Sequence, residues 1–194
     1  MHQVVGLIAF AFAGSASPGP NNTLLWASGM RFGFARTTSH ILGTALGIGA
    51  LVTAAAAGVD AALAAVPVLD VVLKVAGSAY LLFVAYLVLG SGQVGGTEVS
   101  HPLSVWQAVG FQFVNPKAWI FAIAAVGTFF PSDPRPLGVV VLTATLMIVV
   151  VGSSSIWAAG GAALGRVVDD ERTLRIVNGV LAALLVASVV LIWI

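Results

Sequence analysis

The chain has 194 residues, 59 % of them hydrophobic and only 8 % charged, with a mean hydropathy of +1.07. A soluble domain carries about a quarter of its residues as charges, so this composition excludes one and indicates a membrane protein. No cysteine occurs, which rules out disulfides, thiolate metal sites and thiol redox chemistry, and a formal charge of +1 points to no particular partner.

Apolar stretches of about 20 residues, the length a helix needs to cross the hydrocarbon core, run over residues 4–29, 41–59, 66–89, 105–130, 137–164 and 174–194. The first is interrupted near its middle by Ser17-Pro18-Gly19-Pro20-Asn21-Asn22. No Lys or Arg precedes it and apolar sequence resumes at Leu24, so it reads as a crossing and not as a cleaved signal, despite its small residues. Pro18 ends one half-helix, Gly19 and Pro20 can open a second, and Asn21 and Asn22 can bond the freed backbone. Arg31 and Arg36 flank the following loop, and His40 reads as an interfacial residue. In the second crossing Gly43, Ala45, Gly47, Gly49 and Ala50 permit close helix packing. Asp70 and Lys74, four residues apart near the outer end of the third crossing, are expected to pair and are candidates for ion coupling.

Residues 91–102 form a Gly/Ser-rich linker. The fourth crossing is interrupted at Asn115-Pro116-Lys117, where Asn115 suits a helix N-cap and Pro116 the first helical position. Lys117 stands roughly 17 to 20 Å from either end of its segment, too deep to snorkel easily. In the fifth crossing Ser153-Ser154-Ser155 can line a pathway or bond within the helix, and Trp106 and Trp193 suit interfacial anchoring.

Three crossings on each side of the linker divide a single transport domain, residues 1–194, into halves of residues 1–90 and 103–194. An odd number per half inverts the second relative to the first. The expected fold is an all-α integral membrane protein of six transmembrane helices, arranged as two inverted three-helix repeats with the first and fourth helices broken. Residue by residue the halves align poorly, so the repeat is read from architecture. Arg31, Arg36, Arg166, Arg172 and Arg175 cluster on one side and Arg135 alone on the other, which places both termini outside.

Broken helices at corresponding places of two halves mark a transport site, and each break sets a positively polarised helix N-terminus at mid-membrane, suited to a carboxylate. The expected substrate site is therefore Pro18, Gly19, Pro20, Asn21, Asn22, Asn115, Pro116 and Lys117, with Lys117 neutralising the carboxylate. The competing role for Lys117 is structural, bonding carbonyls exposed by the first break. No metal site or cofactor is expected, since the three histidines are not clustered. Neither an HExxH pattern nor a GxSxG elbow is present, which argues against an enzyme. The remaining alternatives are a non-transporting accessory helix bundle and an uptake carrier for small carboxylate-bearing solutes.

Several motifs resemble the lysine-exporter (LysE-type) translocators, above all their homoserine/threonine-exporter-like (RhtB-like) branch. They are Ser17-Pro18-Gly19-Pro20-Asn21-Asn22-Thr23-Leu24-Leu25, the basic loop with Gly33, Gly43-Thr44-Ala45-Leu46-Gly47, Lys74-Val75-Ala76-Gly77-Ser78-Ala79-Tyr80-Leu81 and Gly110-Phe111-Gln112-Phe113-Val114-Asn115-Pro116-Lys117-Ala118. The resemblance implies an inner-membrane exporter of amino acids or their derivatives, exchanging them for protons and often oligomeric. Val126-Gly127-Thr128-Phe129-Phe130 lacks a proline frequent in the family. An acidic residue associated with exporters of basic amino acids is also missing after the second-helix glycines, which favours neutral substrates.

Overall fold

A computed structural model describes residues 2–58, 67–89, 101–129, 136–167 and 171–193. These form α1 (His2–Ala16), α2 (Pro20–Phe32), α3 (Phe34–Ala56), α4 (Pro67–Leu89), α5 (Val105–Val114), α6 (Pro116–Phe129), α7 (Pro136–Leu164) and α8 (Glu171–Trp193). The fold is all-α, with no strand among the described residues. Residues 91–100 of the expected linker, and with them Glu98, lie outside the described residues, as do Asp60, Asp133 and Arg135.

By length and composition α3 and α7 can each cross a membrane, and α5 with α6 can do so as one span bent by 77°. The bend falls at Asn115, where Pro116 lacks the N–H that would continue the helix. The parallel interruption in the first half separates α1 from α2 at Ser17-Pro18-Gly19. Expected boundaries hold within a few residues except for α3, which starts seven residues before the predicted Ile41. Gly33 adopts φ +78°, a left-handed turn open to glycine, and a new helix follows at once. Arg36-Thr37-Thr38-Ser39-His40 is consequently helical, and Thr37 and Thr38 donate their hydroxyls to Gly33 O and Ala35 O.

Helices α1, α3, α6 and α7 enclose one apolar core, with Ala11, Leu51, Ala122 and Leu146 fully buried. A second core joins α4 and α8 to Ala27 of α2 and Phe111 of α5. Glycines set the closest crossings. A Cβ on Gly161 or Gly165 would strike the α2 backbone at Trp26 or Met30, and one on Gly43 would strike Val105 O of α5. Gly47 faces the Gln112 side chain and Gly49 faces Met147, so the small-residue stretch serves packing, as expected. Large apolar side chains such as Val5, Phe83, Tyr86, Ile120, Ile148 and Ile176 face outward, as lipid contact requires.

Candidate functional site

Helix α1 ends in the interior, so its last carbonyls need donors from elsewhere. Trp157 Nε1 donates to Ala16 O (3.1 Å). Asn22 Nδ2 donates to Ser15 O (2.6 Å) and Ser17 O (2.8 Å), which is the role expected of the asparagines after the break. The remaining acceptors go to Lys117, whose Nζ donates to Ser17 O (2.7 Å), Ser17 Oγ (2.8 Å) and Pro18 O (3.1 Å). All three ammonium protons thus have oxygens, contributed by the break in the other half of the chain.

That placement has an electrostatic meaning. The ammonium is held by the negative end of α1 and simultaneously faces the positive end of α2, for a Cβ on Gly19 would fall 3.0 Å from Nζ. Beside it lies a cavity of about 40 Å³ lined by Gly19, Asn21, Asn22, Asn115 and Lys117 from both breaks, together with Thr44, Gln112 and Ser154. By the same measure a single water needs about 10 to 15 Å³, so the space suits a small solute. None of α1, α2, α3, α5, α6 or α7, the helices around it, contains Asp or Glu. Among the described residues the cavity therefore holds a positive charge and a helix N-terminus with no carboxylate to balance them.

The two helix N-termini are not equivalent. At α6 the first amides are occupied: Lys117 N donates to Asn115 Oδ1 (3.2 Å), and Ala118 N donates to Asn115 O (3.0 Å). Asn115 is the predicted cap, and by capping it removes the free N–H groups expected after Pro116. At α2 Pro20 occupies the first position and Thr23 N donates to Gly19 O (3.0 Å), which leaves Asn21 N and Asn22 N without acceptors among the described residues. Any anion served by backbone amides belongs at α2.

Asn21 does not bond the broken backbone. Its Oδ1 accepts from Gln112 Nε2 (2.8 Å) and lies 3.1 Å from Thr44 Oγ1, tying α2 to α5 and α3. Asn21 Nδ2, Asn115 Nδ2, Gln112 Oε1 and Ser154 Oγ have no partner among the described residues and remain available to the cavity. Of the sequence-predicted set, Pro18, Pro20 and Pro116 shape the breaks without lining the cavity. Gln112, Thr44 and Ser17 enter the site unpredicted, while Ser154 takes the pathway-lining alternative open to the serine run. A glutamine inside an apolar helix, three residues before Asn115, was the available signal. Ser153 donates back to Val150 O (3.2 Å), so the serine run contains both a lining residue and a self-bonded one.

Asp70 and Lys74 lie on α4, which packs chiefly on α8, and Lys74 does not line the cavity. Lys74 is half-buried, while the Asp70 side chain, and so their expected pairing, lies outside the described residues. His40 is not interfacial. It is 1 % exposed, because the early start of α3 turns it into the bundle.

The sequence profile of LysE type translocators matches residues 12–192. The chain belongs to the LysE-type translocator family. Membership makes it a membrane transporter and not an enzyme, with amino-acid export as the general activity. Among curated proteins this LysE-type translocator is similar to the cysteine/O-acetylserine efflux proteins of Escherichia coli (strain K12), Escherichia coli O1:K1 / APEC and Shigella sonnei (strain Ss046). Each is 31 % identical over 172 residues, covering 88 % of this chain and 87 % of the relative. No solved structure matches the chain.

Proposed function

We propose that this translocator exports small neutral amino acids or their derivatives across the inner membrane in exchange for protons. The observation that carries this reading is the positive site: a lysine and a helix N-terminus facing a small cavity whose surrounding helices contain no acidic residue. A zwitterion supplies the missing carboxylate. It would sit on the free amides of Asn21 and Asn22, replacing one or more of the oxygens now held by Lys117, a charge-assisted contact of the stronger kind. Its ammonium would turn to Gln112 Oε1 and Ser154 Oγ across the cavity. The naming of the relatives for cysteine and O-acetylserine, both small and neutral, agrees with the cavity's size.

The proposed frame is six crossings with both termini outside, in two inverted halves that rock about the site. Helix pairings support it, since exchanging the halves turns α2–α7 into α6–α3, α3–α5 into α7–α1 and α2–α8 into α6–α4, while α3–α7 and α4–α8 map onto themselves. The α2–α3, α1–α6, α4–α5 and α5–α6 contacts have no counterpart of similar extent. Asp70 and Lys74 of α4 are the coupling groups that the sequence offers, and a homo-oligomer is compatible with the apolar exterior.

The test is transport by purified protein in liposomes against a panel of amino acids. Exchange of serine, cysteine and O-acetylserine, with little of lysine or arginine, is expected. Failure to exchange any amino acid would leave the accessory-bundle alternative standing, and strict inward movement would favour the uptake carrier.

A further inference from the structure

The geometry assigns the coupling proton to His40, an inference that rests on the proton exchange proposed above. His40 stands on α3 between Thr37 and Thr44, on the face turned to α2. There Thr44 Oγ1 lies 3.1 Å from Asn21 Oδ1, and Thr37 Oγ1 lies 3.0 Å from Ser28 Oγ. Among the described residues neither ring nitrogen of His40 has a hydrogen-bond partner, although the side chain is almost completely buried. A structural histidine in an interior ordinarily donates at one nitrogen and accepts at the other, so two empty nitrogens call for another explanation.

The surroundings leave few rivals. The helices packed on α3 are chiefly α2, α5, α6 and α7. Of these α5 and α7 have no ionisable side chain, α2 has only Arg31 and α6 only Lys117, while α3 itself adds Arg36. Arg31 and Arg36 lie over the Phe32 ring at 5.2 and 5.6 Å, and a guanidinium does not release its proton. Lys117 Nζ meets three oxygens, an arrangement that takes all three protons of its ammonium form. Imidazole is the one group in this set that can both take up and release a proton under ordinary conditions.

Its position suits exchange. Thr44 lines the cavity, and His40 follows one helical turn away, about 6 Å along the axis. Beyond it come the buried Thr37–Ser28 pair and Gly33 O, which accepts from Thr37 Oγ1 (2.9 Å), at the end proposed to face the cytoplasm. A proton arriving from outside through the cavity adds to one ring nitrogen, giving imidazolium. It later leaves to water on the Gly33 side, restoring the neutral ring, with nothing oxidised or reduced. The solute ammonium at Gln112 Oε1 and an imidazolium one turn away repel, so solute and proton occupy the site alternately, as antiport requires.

The experiment uses purified protein in liposomes with O-acetylserine. A gradient of about one pH unit can hold about a tenfold solute ratio per proton exchanged. His40→Gln should keep exchange of labelled for unlabelled solute but let the gradient-driven ratio fall to about one, whereas His2→Gln with His101→Gln should keep both. A His40→Gln protein that still holds the wild-type ratio overturns the assignment. If that variant is not made, nitrogen NMR of the His2→Gln/His101→Gln protein decides. An imidazole that titrates between pH 5 and 8 and shifts toward neutral when solute is added supports the role, and one that ignores pH overturns it. Absence of solute exchange in the wild-type protein would instead refute the transport reading, whatever His40 does.

Discussion

Replacing Lys117 by alanine separates its two roles, because the structure assigns each a different cost. Of its three acceptors, Ser17 O keeps Asn22 Nδ2 as a donor and Ser17 Oγ remains bonded to Gly14 O, so only Pro18 O loses its sole partner. The loss of stability is then that of a single carbonyl left without a donor, about 1 to 3 kcal/mol. Substrate loses more. Removing one member of a hydrogen-bonded charge pair costs about 2 to 5 kcal/mol, which is roughly thirtyfold to a few thousandfold in affinity. Lys117→Ala should therefore reach the membrane in near-normal yield, elute as wild type and fail to exchange O-acetylserine in liposomes. Lys117→Arg should be impaired, since a planar fork does not reproduce a compact ammonium inside the cluster of Ser17 and Pro18 oxygens. A Lys117→Ala protein that is made normally and transports normally would refute the reasoning. One that fails to accumulate in the membrane, yet binds solute when recovered, would leave Lys117 as a structural lysine only.

Gln112→Leu removes a donor to Asn21 Oδ1 and the oxygen offered to the solute ammonium, so it should weaken solute binding by about 1.5 to 3 kcal/mol, or about tenfold to 150-fold, with little change in yield; titration of solute binding reads it. Gly161→Val puts side-chain atoms onto the Trp26 carbonyl, so it should cost at least about 1 to 3 kcal/mol and lower the melting temperature, whereas Gly152→Val, which meets open space, should be tolerated. For topology, the absence of native cysteine allows labelling without background. Phe34→Cys should label only from the cytoplasm and Asp133→Cys only from outside, and the reverse pattern would invert the orientation.

The breaks were legible in the sequence because proline and glycine act locally: Pro20 and Pro116 open helices wherever the rest of the chain goes. Asn115 as a cap belongs to the same class. What was not legible depended on neighbours distant in sequence. The consumption of the α6 amides by Asn115, and of the Lys117 protons by Ser17 and Pro18, follows from how tightly two interruptions approach, which spacing does not reveal. His40 was misplaced because the polar run from Arg36 to His40 looks like loop. A single left-handed glycine lets α3 begin early, and hydroxyls bonding back to the helix make that run compatible with burial.

The charge balance around the cavity also decides between substrate classes. A zwitterion brings one carboxylate to one lysine and leaves its ammonium to neutral oxygens at Gln112 and Ser154, so the filled site is electrically close to the empty one. A basic amino acid adds a second cation to a chamber whose helices contain no acidic residue. At a separation of about 8 Å from the Lys117 ammonium and an effective dielectric constant of about 20, that cation is repelled by about 2 kcal/mol, roughly thirtyfold in affinity. Its own desolvation, with no counter-ion among the described residues to offset it, adds to the penalty. Exclusion of lysine and arginine thus needs no steric filter. The acidic residue missing after the glycines of α3 is the same feature seen from the sequence: a carboxylate there could hold a cationic side chain but would also neutralise the charge that draws a neutral zwitterion's carboxylate to the break.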